Sequence, residues 1–166
     1  MSGVLSSTDD QNRLLTFVFE DVHYALPIAW VVEVSEKDRV ASVPSMALPV
    51  GGVMNWHGEA LPLVATELLL GRDRDEAGAT PFGAATTVGY AQEQVLVVSK
   101  RPGSSGCLGV PVDGVVGLID GGGGRDRHVG ESLVVERRPV DGRIVHVLDP
   151  ATLVARGGEV IEGATL

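Results

Sequence analysis

The side chains with the clearest chemical potential lie in the stretch NWHGEALPLVATELL, which starts at Asn55 and places His57 two residues before Glu59. A histidine beside a carboxylate can act as a general base when both groups reach a substrate in a cleft. In an extended strand, residues two apart share a face, so His57 and Glu59 could cooperate. No serine of the chain lies in the G-x-S-x-G setting of an activated nucleophile. We therefore predict that His57 and Gly58 form the tip of a β-turn, and we keep a small hydrolase that uses His57 and Glu59 as the alternative.

Metal, phosphate and thiol chemistry find weaker support in the sequence. The four histidines show no H-x-x-x-H or C-x-x-C pairing; they are His23, His57, His128 and His146. The run DGGGGRDR lacks the Lys-Ser/Thr pair of a phosphate-binding loop. Cys107 lies in the apolar stretch GCLGVPV, where a small buried residue is the better interpretation than a reactive thiol. We predict no catalytic residue, no metal site and no cofactor.

Composition narrows the possible partners of the chain. With a net charge of −9 over 166 residues, the chain would be repelled by phosphate backbones, so we predict no nucleic-acid binding. The longest apolar run, Tyr24 to Val32, is far shorter than the roughly 20 residues that cross a bilayer, so we predict no direct membrane insertion. The polar start of the chain does not resemble a signal peptide. These features favour a cytoplasmic protein.

The elements that must position these residues are mostly short strands. Gly occurs 22 times and Pro 9 times, between Val-rich runs, which is typical of an all-β domain with many turns. Leu15, Phe17 and Phe19 alternate with more polar residues, as in a half-buried strand. The stretch GVMNWHGEALPLV predicts two strands about a turn, and TELLLG predicts a short helical turn. HYALPIAWVVEVSE predicts extended structure.

An internal repeat relates the two halves of the chain. LPIAWVVEV, from residue 26, matches VPVDGVVGL, from residue 110, and GEALPLVATELL, from residue 58, matches GRIVHVLDPATL, from residue 142. Both matches have the same offset, since residues 26 and 110 and residues 58 and 142 are each 84 apart. Each half is too small for a strong core of its own. We therefore expect two similar curled β-units that pack on each other and leave a groove between them.

These stretches together resemble the CheW-like family of chemotaxis coupling proteins and kinase regulatory domains. The resemblance rests on FVFEDVHYALPIAWVVEV, VPSMALPVGGVMNWHGEALPLV, LGVPVDGVVGLI and DGRIVHVLDPATLV, and it runs from about Leu14 to Val154. It implies an all-β fold of two intertwined SH3-like β-barrel halves. We place a flexible tail at 1–13, a CheW-like domain at 14–155 with halves at about 14–85 and 86–155, and a C-terminal tail at 156–166.

The resemblance also implies a function without catalysis. Members of this family join the cytoplasmic tip of chemoreceptors to the regulatory domain of a CheA-type histidine kinase. By position in the family motif, Gly52, Asn55, His57 and Gly58 are candidates for kinase contact. Four further residues are candidates for the receptor groove or another contact: Val31, Glu33, Val115 and Leu118.

Two departures from the family motif suggest a divergent member. His57 stands where the family usually has Arg, and Ala65 stands where it usually has Asp, although the second half keeps its Asp149. Arginine is permanently charged, whereas histidine is mostly neutral at cytoplasmic pH. Loss of Arg and Asp together would fit the loss of one ion pair. We expect an adaptor with a dedicated partner; the alternative is a stand-alone CheW-like domain that regulates a non-chemotaxis kinase or assembles with itself.

Overall fold

A computed structural model describes residues 12–36, 40–41, 50–70, 94–121 and 132–164. In these segments the chain forms β1 (Arg13–Phe19), β2 (Val22–Pro27), β3 (Val31–Glu36), β4 (Val40–Ala41), β5 (Val50–Trp56), β6 (Glu59–Val64), β7 (Gln94–Ser99), β8 (Gly106–Val112), β9 (Gly114–Asp120), β10 (Val134–Val140) and β11 (Arg143–Leu148). A 3₁₀ turn covers Ile28–Trp30, and the helices are α1 (Thr66–Leu69) and α2 (Pro150–Ala164). The predicted all-β fold class with short helical turns is confirmed.

The strands form two mostly antiparallel sheets of five and six strands. The five-stranded sheet has the order β10-β11-β2-β1-β9, and the six-stranded sheet has the order β3-β7-β8-β6-β5-β4. One parallel pairing lies inside each sheet, between β11 and β2 and between β6 and β8. The two orders are equivalent when β9, β1, β2, β11 and β10 are matched with β3, β7, β8, β6 and β5.

The internal repeat is confirmed in the elements themselves. β5 starts at Val50 and β10 at Val134, β6 at Glu59 and β11 at Arg143, and α1 at Thr66 and α2 at Pro150, each pair 84 residues apart. Even the irregularities repeat, because the register shifts in β5 and β10 fall at residues 51 and 135, again 84 apart. Such bulges are specified features of a sheet, so their repetition indicates two copies of one backbone plan.

The two halves are intertwined, because each sheet contains strands from both. β1 and β2 leave the first half to pair with β9 and β11, while β7 and β8 of the second half join β3 and β6. The chain crosses between the sheets at the 3₁₀ turn Ile28–Trp30 and at Asp113, between β8 and β9. The sequence had predicted extended backbone at Ile28–Trp30; Pro27 instead precedes one tight turn there.

One hydrophobic core joins the two sheets and both helices. Its largest buried members include Phe17 and Leu26 of the five-stranded sheet, Leu96 and Leu108 of the six-stranded sheet, and Leu153 of α2. Because both halves supply this core, neither half has a complete core of its own. Two smaller clusters of buried residues lie one in each sheet, and Trp56 packs against the one in the six-stranded sheet.

Helix α2 differs from the tail that we predicted for residues 156–166, because it continues to Ala164. Val160 and Ile161 pack against the main core, and Arg156 Nη1 donates to the carbonyl of Leu69 at 2.9 Å. The Gly157-Gly158 pair disfavours a helix, but the apolar contacts outweigh that preference.

Parts of the sequence discussed above lie outside the described residues: residues 1–11 of the predicted N-terminal tail, and residues 122–131, which include His128 and most of the run DGGGGRDR. The predicted limits of the domain and its halves remain a prediction. Among the described residues, no helix is long and apolar enough to cross a membrane.

Candidate functional site

The predicted turn at His57-Gly58 is confirmed, and it forms the tip of the β5–β6 hairpin. His57 has φ 50° and Gly58 has φ 84°, so both central residues are left-handed, as a type I′ turn requires. The side chain of Asn55 supports the turn, because its Oδ1 accepts a hydrogen bond from the Gly58 N–H at 3.0 Å. Equivalent backbone occurs at Asp141 and Gly142, with φ 49° and 78°. The tip is therefore a repeated structural device.

A carboxylate on β3 holds this tip in place. Trp56 Nε1–H donates to Glu33 Oε2 at 2.6 Å, and His57 Nε2 lies 3.1 Å from the same oxygen. The indole and imidazole rings also touch edge to face, with centroids 4.9 Å apart. We call Glu33, Trp56 and His57 the Glu33 clasp. It joins Glu33, a candidate for the receptor groove or another contact, with His57, a candidate for kinase contact.

The clasp does not resemble a hydrolytic site. His57 lies in the turn itself, while Glu59 begins β6 opposite Trp56. Strand alternation does not run through His57, so the inference that His57 and Glu59 share a strand face is wrong. The side chain of His57 is 68% exposed, and the pocket formed by Asp21, Val22, His23, Arg143 and Ile144 lies in the other sheet.

The suggested loss of one ion pair between positions 57 and 65 is also wrong. The two residues flank opposite ends of β6, since Trp56 pairs with Glu59 and Val50 with Val64. Six extended residues span about 20 Å, far beyond ion-pair contact. Asp149, the counterpart of Ala65, instead caps α2: its Oδ2 accepts from the backbone N–H of Thr152 at 3.1 Å and from its hydroxyl at 2.5 Å. Ala65 has no side-chain cap to offer α1.

The edge strands β3 and β9 present a second candidate surface. Val31 pairs with Val98 and Glu33 with Val97, so Val32 is an extra, bulged residue. Thr16 pairs with Gly117 and Phe17 with Val115, so Val116 is the equivalent bulge, 84 residues later. The outward side chains are exposed: Val32 41%, Val34 37%, Val116 57% and Leu118 48%. We call these four residues the edge-strand surface.

The candidate residues within these two strands differ in exposure. Val31 and Val115 are half-buried and pack against the main core, whereas Leu118 is exposed. The sequence analysis did not single out Val32, Val34 and Val116, which are exposed. The 84-residue offset could have found them as pairs, but which face of each strand points outward depends on the bulges. Gly52, a candidate for kinase contact, lies within strand β5.

Other titratable groups have perturbed pKa values for structural reasons. Burial raises the pKa of the Cys107 thiol, which is half-buried. Burial, and then the charge of Arg137, lowers the pKa of His146, whose ring lies against Tyr24. Among the described residues, no group of three or more His, Cys, Asp or Glu could hold a metal ion.

Comparison with known proteins gives one consistent result. The scaffolding protein TtCheW from Thermoanaerobacter tengcongensis has a similar structure, with a TM-score of 0.59, 16% sequence identity, and coverage of 86% of this chain and 92% of that one. No curated protein matches the sequence. The family model described as CheW-like domain matches residues 13–157. The chain therefore belongs to the CheW-like domain family, a family of non-enzymatic scaffolds and adaptors in chemotaxis signalling.

Proposed function

We propose that this chain is a cytoplasmic, non-enzymatic adaptor that couples the cytoplasmic tips of chemoreceptors to the regulatory domain of a CheA-type histidine kinase. Membership of the CheW-like family supports the general role. The observation that carries the specific proposal is the edge-strand surface, where exposed apolar residues occupy equivalent positions on two edge strands.

Edge strands normally avoid this arrangement. An exposed edge with apolar side chains invites pairing or aggregation, and proteins usually protect such edges with charges, proline or a covering element. Here the bulges at Val32 and Val116 and the neighbouring Glu33 provide only partial protection. A partner that covered Val34 and Leu118 would remove apolar surface from water, at about 25 cal/mol per Å² before ordering costs. The surface suits a helical hairpin such as a receptor tip, because a short apolar ridge on a helix could cover each of the two short apolar strips.

The Glu33 clasp is the surface that we assign to the kinase. Asn55 and Gly58 fix the shape of the turn, and His57 exposes its ring beside Glu33. A permanently charged Arg at this position would offer more hydrogen-bond donors than His57. We therefore propose that the chain serves a dedicated kinase. His57→Arg should strengthen binding to a generic CheA-type regulatory domain by roughly tenfold, which corresponds to one charge-assisted hydrogen bond; unchanged affinity would contradict this part.

The edge-strand surface can be tested by charge insertion. The double substitution Val116→Lys and Leu118→Lys should weaken binding of a receptor-tip fragment at least tenfold, measured by calorimetry, because two lysines would have to be desolvated. Leu68→Lys is the control, since Leu68 is 46% exposed and belongs to α1, not to either edge strand. Circular dichroism and thermal melts verify folding. Equal binding by the double variant and the native chain would overturn the proposed role of this surface.

A further inference from the structure

The Glu33 clasp determines which ring nitrogen of His57 carries the proton. Glu33 Oε2 accepts the indole N–H of Trp56 at 2.6 Å, and His57 Nε2 lies 3.1 Å from the same oxygen. An ionised carboxylate accepts hydrogen bonds but cannot donate them. The neutral imidazole therefore donates its Nε2–H to Glu33, and its Nδ1 remains as a hydrogen-bond acceptor.

The second ring nitrogen of His57 is accessible to a partner protein. The side chain is 68% exposed, and Nδ1 has no hydrogen-bond partner in the part of the chain that the structure describes. The edge-to-face contact with Trp56 and the turn supported by Asn55 hold the ring in place at the hairpin tip. His57 therefore presents one polar atom, Nδ1, at a defined position on the surface.

Protonation of the ring reverses the role of this atom. Both nitrogens of an imidazolium are donors, so Nδ1 changes from an acceptor to a donor. Histidine is the side chain that commonly makes this change between pH 5 and 8. The charged neighbours of His57 are two carboxylates, Glu33 on β3 and Glu59 two residues along the chain in β6, and its ring partner Trp56 of β5 is uncharged. Protonated His57 thus adds a positive charge to a tip that is otherwise negative.

The usual residue at position 57 indicates what kind of partner group this tip meets. The family motif usually has Arg where this chain has His57. An arginine side chain has five donors and no acceptor, so a partner that binds it must offer acceptors, and a carboxylate fits the positive charge best. Neutral His57 would place its acceptor Nδ1 against such a carboxylate, and the two acceptors would repel each other. Only protonated His57 can donate as arginine does.

We propose that the Glu33 clasp makes a proton-dependent contact, in which Nδ1–H of protonated His57 donates to a carboxylate of the kinase regulatory domain. Glu33 keeps the other ring nitrogen occupied, so the partner always meets Nδ1. Arginine would make this contact at every pH, whereas His57 makes the affinity for the kinase rise as the pH falls. This inference rests on the proposed adaptor function, because it names the chemistry and the regulation of the kinase surface.

The first test uses the full chain without any partner. The imidazole ¹⁵N shifts of His57, identified by their loss in His57→Gln, should show the Nε2–H tautomer at about pH 8 and a second proton on Nδ1 at about pH 5. The indole N–H of Trp56 should shift through the same transition, because it shares Glu33 Oε2 with the ring. The other tryptophan of the chain, Trp30, should not follow that transition. A neutral ring with its proton on Nδ1 would overturn the proposal.

The second test measures binding of a CheA-type regulatory domain by calorimetry at about pH 7.5 and about pH 5.5. The native chain is compared with His57→Arg and His57→Gln at each pH, so that any titration of the kinase domain itself cancels in the ratio of affinities. His57→Arg should bind roughly tenfold more tightly than the native chain at the higher pH, and within about twofold of it at the lower pH. The ratio between the Arg and Gln variants should be the same at both pH values.

A matched histidine controls for effects elsewhere in the chain. His23→Gln removes a half-buried histidine of the other sheet and should keep the pH dependence of the native chain. Circular dichroism at both pH values verifies folding. An equal ratio of His57→Arg to native affinity at the two pH values would overturn the proposal. If no chain bound the kinase domain at either pH, the proposed kinase partner would be wrong, and this inference would be wrong with it.

Discussion

At the scale of single residues, the Glu33 clasp shows how one carboxylate can organise a contact surface. Glu33 Oε2 accepts from the indole of Trp56 and lies within hydrogen-bond distance of His57. Hydrogen bonds to a charged acceptor are stronger than neutral ones, but the Glu33 side chain is 36% exposed, and water weakens the effect. The clasp therefore fixes the hairpin tip on β3 more than it stabilises the whole chain.

The strength of the clasp can be measured by a double-mutant cycle. Trp56→Phe keeps an aromatic ring but removes the N–H donor, so it should lower the free energy of unfolding by about 1 kcal/mol. Glu33→Gln should cost less, because the amide still offers an acceptor. The coupling energy from urea unfolding of both single variants and the double variant should be about 0.5–1 kcal/mol. Trp30→Phe serves as the control, and zero coupling would show that the contact does not hold the tip.

Asp113 is a residue whose charge opposes folding. Its Oδ2 accepts the Glu20 N–H at 2.7 Å, but its Oδ1 is buried and has no hydrogen-bond partner among the described residues. Burial, followed by the neighbouring charge of Asp21, raises its pKa. The folded chain therefore binds a proton at the Asp113 carboxyl group more tightly than the unfolded chain does. Between the ordinary and the raised pKa, the contribution of Asp113 to stability falls as the pH rises.

Replacing that carboxyl by an amide should remove the pH-dependent cost. Asp113→Asn should be more stable than the native chain at pH 7, by less than about 1 kcal/mol because the residue is partly exposed. The difference should shrink as the pH falls towards the ordinary carboxyl range, where Asp113 is protonated. Urea unfolding between pH 4.5 and 7.5 measures it, with Asp141→Asn in an exposed turn as the control. A gain that grew at lower pH would contradict the sign argued here.

At the scale of elements, helix α2 is held by its cap and by a close approach to β8. Asp149 caps its first turn, and Gly157 faces Leu108, where a Cβ would lie 2.5 Å from Leu108 Cδ2. Leu108 is buried in the main core and has little room to move. The next residue, Gly158, has nothing within 4 Å of its Cβ position. Gly157 thus lies against a packed side chain, whereas the adjacent Gly158 faces open space.

Alanine substitution should separate these two glycines. Gly158→Ala should stabilise the chain by about 0.5–1 kcal/mol, because alanine favours a helix over glycine. Gly157→Ala gains the same preference but forces Leu108 aside, at a cost of about 1–3 kcal/mol for an overpacked core. It should therefore be the less stable variant in thermal and urea unfolding. Equal stabilisation by both changes would show that α2 does not dock closely on β8.

At the scale of the whole molecule, the repeat decided how much could be predicted. The turn at His57-Gly58 and the helical turn at Thr66 follow from local residue preferences, and the 84-residue offset predicted two similar β-units. The clasp could not be predicted, because Glu33 and Trp56 meet only through the curl of a sheet. The outward bulges at Val32 and Val116 depend on the partner strands. The last turns of α2 were not predicted, because apolar packing outweighs the low helix preference of the Gly157-Gly158 pair.

The exchange of strands between the halves leads to a prediction about folding. β1 and β2 have their partners in β9 and β11, and the main core takes residues from both sheets. Neither half of the repeat can therefore bury its own apolar surface. The fragments 1–85 and 86–166, expressed separately, should each be largely unfolded by circular dichroism and amide-shift dispersion. The intact chain should unfold in one cooperative transition.

Mixing the fragments supplies the decisive comparison. An equimolar mixture should regain the β-sheet signal and form a 1:1 complex in sedimentation, since each fragment supplies the strands that the other lacks. Val98→Asp in the second fragment, at a buried position of β7, should prevent reconstitution, whereas Lys100→Asp, at an exposed position just beyond the same strand, should not. A first fragment that folded alone would mean that β1 and β2 do not need β9 and β11 as neighbours, and the intertwined arrangement would then be unnecessary for stability.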